Sequence, residues 1–125
     1  MPLQDNHLTG EIISAAIEVH RTLGPGLLEK AYKDCLAHEL QLRRAHVQTE
    51  VPYPIEYKSL IVEKAYRVDS IAANEVVVEV KATQQMHPVY EAQLLTYLRV
   101  TGLRLGLLMN FGMPTLEEGL VRRIL

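Results

Sequence analysis

The chain predicts an α/β fold, an α+β sandwich with a mixed four-stranded sheet between helices in the order ααβββαβα. Three observations carry this. Apolar residues first recur at helical spacing; extended apolar segments follow from Val47; and a helical stretch then separates the β-branched run Val76–Ala82 from a second apolar run, Leu103–Phe111. A strand, helix, strand order makes a right-handed crossover, which places the last strand parallel to Val76–Ala82 and leaves helices to cover the faces. With 125 residues and no internal repeat or long linker, residues 1–125 are read as one domain.

From Thr9 to Leu23 the residues Ile12, Ile13, Ala16, Ile17 and His20 share one helix face, with Thr9 as the cap. Gly24-Pro25-Gly26 ends that helix, because proline cannot continue it and glycine accepts the positive φ of a C-terminal cap. A second helix follows, with Leu28, Tyr32, Cys35, Leu36, Glu39 and Leu40 as its inward stripe and Lys30, Lys33 and Asp34 on its wet side. Glu29 lies in its first turn, where the helix dipole stabilises an acid, and shares a face with Tyr32. Val47–Tyr57 contains Pro52 and Pro54, which deny two ladder hydrogen bonds and mark an edge strand. Lys58-Ser59 turns the chain into Leu60–Ile71, and a turn near Ala73-Asn74 leads into Val76–Ala82. His87-Pro88 opens a helix that runs to Thr101, stops at Gly102 and offers Leu94, Leu95 and Leu98 to the core. Leu103–Phe111 reads as a strand and Pro114–Ile124 as a closing helix.

Composition narrows the function classes. Hydrophobic content of 48% with 22% charged residues belongs to a folded domain, and no apolar run reaches the ~20 residues needed to cross a bilayer. Met1–Gly10 lacks the basic start and apolar core of a signal peptide, so a cytoplasmic protein with no membrane partner is expected. The single cysteine, Cys35, excludes an intrachain disulfide and a cysteine cluster for zinc; it reads as a small buried helix residue. A net charge of −2 gives no general attraction for nucleic acid, which a local patch or a bound divalent cation would have to supply.

Chemistry concentrates between Asp69 and Lys81. Val76–Val80 is β-branched except at Glu79, the pattern of a central strand covered on both faces. An unpaired carboxylate there is strongly unfavourable, so Glu79 needs Lys81, a metal ion or water beside it. Glu79 and Lys81 are two residues apart, so they point to one face with α-carbons ~6.7 Å apart. Asp69 joins Glu79 on that face if the intervening loop has an odd number of residues centred on Asn74; a two-residue turn at Ala73-Asn74 would pair Asp69 with Val78 instead. The odd loop, or a bulge with the same effect, is predicted. Converged, Asp69, Glu79 and a backbone carbonyl such as that of Val80 make an all-oxygen site for Mg2+ or Mn2+. Lys81 is then a protonated group that orients the attacking water and offsets phosphate charge. A buried salt bridge of Lys81 with Glu79 or Asp69 is the structural alternative.

Asp69 followed by Glu79-Val80-Lys81 resembles the PD-(D/E)xK nuclease superfamily, with Val68 where the motif opens on proline. Gly26-Leu27-Leu28-Glu29-Lys30-Ala31-Tyr32 reads G-x-x-E-x-x-Y, which is similar to the bacterial GxxExxY family within it. Ala16–Arg21, Tyr66-Arg67-x-Asp69 and Glu91–Leu98 fit that pattern in order, so the likeness spans nearly the whole chain. The resemblance implies a restriction-endonuclease-like core and a Mg2+- or Mn2+-dependent nuclease acting on DNA or RNA. A catalytically silent nuclease-fold module that binds protein or nucleic acid is the alternative. It assigns the metal to Asp69 and Glu79, catalysis to Lys81, and a supporting role to Glu29. Gln93 with Tyr97, one turn apart on one helix face, corresponds to a Q-x-x-x-Y element of related nucleases; Tyr32 and His20 are further supporting candidates. A small domain of this kind is expected to work as a homodimer, with Val100–Phe111 and the final helix as candidate surfaces.

Overall fold

The computed structural model describes residues 2–125, residues 2–6 through their backbone alone. Helix α1 (Pro2–Leu23) begins well before Thr9, which lies inside the helix and is buried. The helix therefore reaches back to a proline in its first turn, the one place where a missing N–H costs nothing. Its core face is Ile12, Ala15, Ala16, Val19 and His20, while Ile17 stands 37% exposed, contrary to its assignment to the inner face. Gly24 (φ +70°) ends α1 with its N–H on the His20 carbonyl, 2.8 Å away.

Helix α2 (Glu29–Leu42) buries only the single row Tyr32, Leu36 and Leu40. Leu28 and Cys35, predicted inward, are exposed, and Glu39 is half-buried in an ion pair with Arg43. A helix packed along so narrow a stripe leaves Cys35, one residue before Leu36, turned aside by a full 100° step.

The remaining chain forms one sheet in the order β1-β2-β3-β4-β5, with β1 Val47–Tyr57, β2 Leu60–Ala72, β3 Val76–Lys81, β4 Leu105–Asn110 and β5 Leu120–Ile124. Helix α3 (Pro88–Thr101) supplies the crossover between β3 and β4, which alone are parallel; Gly102 (φ +75°) closes it. The proline-bearing β1 is an outer strand, as its composition predicts. Lys58 and Ser59, both at positive φ, turn β1 into β2.

The sheet has five strands because the last element is not the helix that the spacing of Leu116, Leu120 and Ile124 predicts. A short 3-10 turn at Glu117–Gly119 gives way to β5, which pairs antiparallel with β4 from Leu105–Ile124 to Met109–Leu120. Tertiary pairing decides this. Strand β4 is buried at every position, so its far edge must be hydrogen-bonded, and a helix cannot do that. Of the dimer surfaces named from the sequence, Leu105–Asn110 is buried as β4 between two strands, and the final helix is replaced by β5.

Both faces of β3 are covered. Val76, Val78 and Val80 pack with α1, α2, Leu107, Met109 and Phe111, whereas Val77 packs with Leu94, Tyr97 and Leu98 of α3 and with Leu108. No helix among the described residues is long and apolar enough to cross a membrane.

Candidate functional site

The register between β2 and β3 sets the site. Ala72 pairs with Val76, Ile71 with Val77 and Ser70 with Val78, so three residues, Ala73 to Glu75, form the loop. Ala73 and Asn74 are both left-handed (φ +54° and +58°), and the Glu75 N–H reaches back to the Ala72 carbonyl. This is the odd loop centred on Asn74, and it brings Asp69 level with Glu79.

Backbone pairing stops at that level and the carboxylates take over. The Asp69 N–H donates to Glu79 Oε1 at 3.2 Å, and the Val80 N–H donates to Asp69 Oδ2 at 3.0 Å. The two strands thus fork, each acid satisfying a donor that the ladder no longer uses. Within a strand the N–H and C=O of one residue face the same edge, so the Val80 carbonyl also faces the fork. Glu79 is 3% exposed, and its carboxyl is pushed up to about 8 by burial first and by the charge of Asp69 second. The Asp69 N–H and Lys81 pull the other way, and Glu29 adds to the repulsion.

Lys81, at the end of β3, donates to Gln93 Oε1 at 3.0 Å and lies 5.0 Å from the Tyr90 ring centre. Gln93 in turn donates to the Tyr97 hydroxyl at 2.8 Å. Helical spacing places Gln93 and Tyr97 one turn apart, and the crossover lays their face of α3 against the end of β3. Tyr97 stacks on Tyr66 at 5.1 Å, and Tyr66 on Tyr53 at 5.8 Å. Burial beside these rings pushes the Tyr66 phenol up to about 12, and its hydroxyl has no hydrogen-bond partner among the described residues. Burial also raises the Tyr97 phenol, with the Glu79 charge second.

Two residues of the site escape sequence reasoning. Lys33, predicted to face water, is directed inward, with Nζ 2.9 Å from Glu50, 3.4 Å from Asp69 and 3.9 Å from Glu29. Burial alone would lower its pKa, but the Glu50 hydrogen bond and the charges of Asp69 and Glu50 outweigh this and raise it. Its four-residue spacing from Glu29 was the available clue. Glu50 had none. A two-residue turn at Lys58-Ser59 fixes the pairs Tyr57–Leu60 and Ile55–Val62, but an irregularity between Tyr53 and Ile55 shifts the register. Glu50 then falls between the pairs Thr49–Ser70 and Val51–Val68, level with Asp69.

The remaining candidates hold the site's frame. The Tyr32 hydroxyl donates to the Gly24 carbonyl at 2.5 Å, accepts from the Leu27 N–H at 3.1 Å, and its ring stacks on Phe111, so it fixes the loop ahead of Glu29. His20 Nε2 lies 2.9 Å from the Met113 carbonyl and does not join the acids. Asn110, fully buried opposite Lys81, is a third omission: its side chain binds Thr83 N, Thr83 Oγ1, the Gln85 carbonyl and Gly112 N. It secures the chain immediately after Lys81.

Two grooves are lined by residues adjacent in sequence or in contact with the site, though not by Asp69, Glu79 or Lys81 themselves. One, of about 530 Å³, is lined by Glu50, Pro52, Lys64, Tyr66 and Arg67. Another, of about 400 Å³, runs between residues 25–27 and 82–84 beside Gly112.

The model of the PD-(D/E)XK nuclease superfamily matches residues 6–124, and the chain belongs to that superfamily. No curated protein and no solved structure matches it.

Proposed function

We propose that this protein is a divalent-metal-dependent nuclease that hydrolyses phosphodiester bonds of DNA or RNA, of the GxxExxY kind. The observation that carries the proposal is the fork, where Asp69 and Glu79 converge across two strands while Lys81 is held beside them by Gln93.

The donors suit a hard cation. Asp69, Glu79 and the Val80 carbonyl are all oxygen, and a divalent charge would offset both the burial and the Asp69 repulsion that raise the Glu79 carboxyl. Among the described residues no three His, Cys, Asp or Glu side chains are already gathered as a metal cage. Two carboxylates and a carbonyl leave the remaining positions to water, as magnesium prefers. When bound, the ion would supply charge for the phosphoryl oxygens and acidify a bound water.

Lys81 orients that water and offsets charge on the phosphate, with Gln93 fixing its ammonium and Tyr97 fixing Gln93. Glu29, at the start of α2, adds negative potential from the opposite side. Lys64 and Arg67 in the larger groove supply the local positive charge that the net charge of −2 lacks.

Single-stranded, duplex and branched DNA and RNA, incubated with Mg2+ or Mn2+, test this. Wild type should cleave at least one of them, and Lys81→Ala should lose on the order of a hundredfold or more in rate while staying folded. Equal inertness of folded wild type and variant on every substrate would instead support a silent nuclease-fold module.

A further inference from the structure

We propose that Lys33 is a resident cation of the acidic fork, its ammonium bridging Glu50 and Asp69 while no divalent ion is bound and withdrawing wholly to Glu50 as the ion enters. The inference rests on the metal-dependent reading above and adds a gate to it.

Three acids from three elements meet one ammonium: Glu29 of α2, Glu50 of β1 and Asp69 of β2. The Lys33 side chain is 18% exposed and Asp69 14%, whereas Glu29 and Glu50 are 43% and 45% exposed. The contact to Asp69 is therefore the inner one. It is also the longer of the two hydrogen bonds, 3.4 Å against 2.9 Å to Glu50, so the ammonium is shared unequally between a metal-ligand candidate and an outer partner. A small torsion at the end of a flexible four-carbon stem transfers it fully to Glu50.

Glu50 is built as that outer partner. Its backbone is left-handed (φ +52°), a conformation that side-chain-bearing residues rarely adopt and that tertiary structure must hold. Its second oxygen is engaged by Arg67 Nε at 3.3 Å, which anchors the carboxylate from the far side. An ammonium and a divalent ion cannot both sit on Asp69 without strong repulsion, so entry of the ion displaces Lys33 by simple electrostatics. Lys33 needs somewhere to go, and Glu50 is already in contact.

Calorimetric titration of the metal-free 125-residue protein with Mn2+ tests the gate without any activity readout. Lys33→Met should bind Mn2+ roughly tenfold more tightly than wild type, because the competing charge is gone. Glu50→Gln should bind it roughly threefold or more weakly, because the ammonium then stays on Asp69. The double variant should match Lys33→Met, since Glu50 has no ammonium left to take. Equal or weaker binding by Lys33→Met overturns the gate, as does a double variant weakened by the full Glu50→Gln factor, which would mean Glu50 acts through its own charge. Should Lys33→Met fail to fold, Lys33→Arg decides: its fork should hold Asp69 harder and weaken Mn2+ binding, and tighter binding would overturn the gate. Absence of Mn2+ binding in wild type and folded Lys33→Met alike would refute the metal-dependent reading itself.

Discussion

Glu79 lies between Val78 and Val80 in the buried strand β3, and its raised pKa follows first from that burial. In the unfolded chain this carboxyl titrates near 4.5; in the fold it titrates near 8. Between those values the folded state holds the extra proton, so the contribution of Glu79 to stability is complete below about pH 4.5 and is lost as pH rises toward 8. Denaturant titrations of the metal-free protein should show this decline, amounting to a few kcal/mol at most. Glu79→Gln, which cannot ionise, should flatten it. The same residue shows what was legible at this scale: Asp69, Glu79 and Lys81 could be singled out because strand periodicity fixes which residues share a face, while Gln93 was named by the family resemblance. Lys33 was set aside because it lies off the apolar stripe of α2, among Lys30 and Asp34, and Glu50 because nothing local distinguishes it from any edge-strand acid.

Elements carry these residues through two details of pairing. The three-residue loop Ala73–Glu75 sets the β2/β3 register, and its parity was readable from the need to bring two acids together. The closing strand was not readable. Thr115 and Glu118 form a reciprocal capping pair that would start a helix, with Glu118 Oε2 accepting from the Thr115 N–H and Thr115 Oγ1 accepting from the Glu118 N–H. The chain instead runs against β4 at Gly119, where a Cβ would lie 2.3 Å from the Asn110 carbonyl oxygen. Gly119→Ala should therefore push β5 off β4 and cost roughly 1–3 kcal/mol or more, measured by chemical denaturation. An unchanged midpoint would show that this approach is loose.

At the scale of the molecule, two helices on one face and one on the other bury β3 and β4 and place the fork at the end of β3. Linkage between site and fold follows, because a ligand held by Asp69 and Glu79 joins β2 to β3 where their ladder ends. Mn2+ at a hundred times its dissociation constant should stabilise the fold by about 2.7 kcal/mol and raise the melting temperature by roughly 8–12 °C. Asp69→Asn should abolish most of that rise, as differential scanning calorimetry would show. By itself the sequence determined the helix–sheet order up to Asn110, the edge position of β1, the parallel crossover and the shared face of Asp69, Glu79 and Lys81, all of which depend on local periodicity and loop length. Tertiary structure decided the fifth strand and the inward turn of Lys33 toward Glu50 and Asp69, because a buried strand edge must find donors and acceptors and a cluster of acids must find a cation.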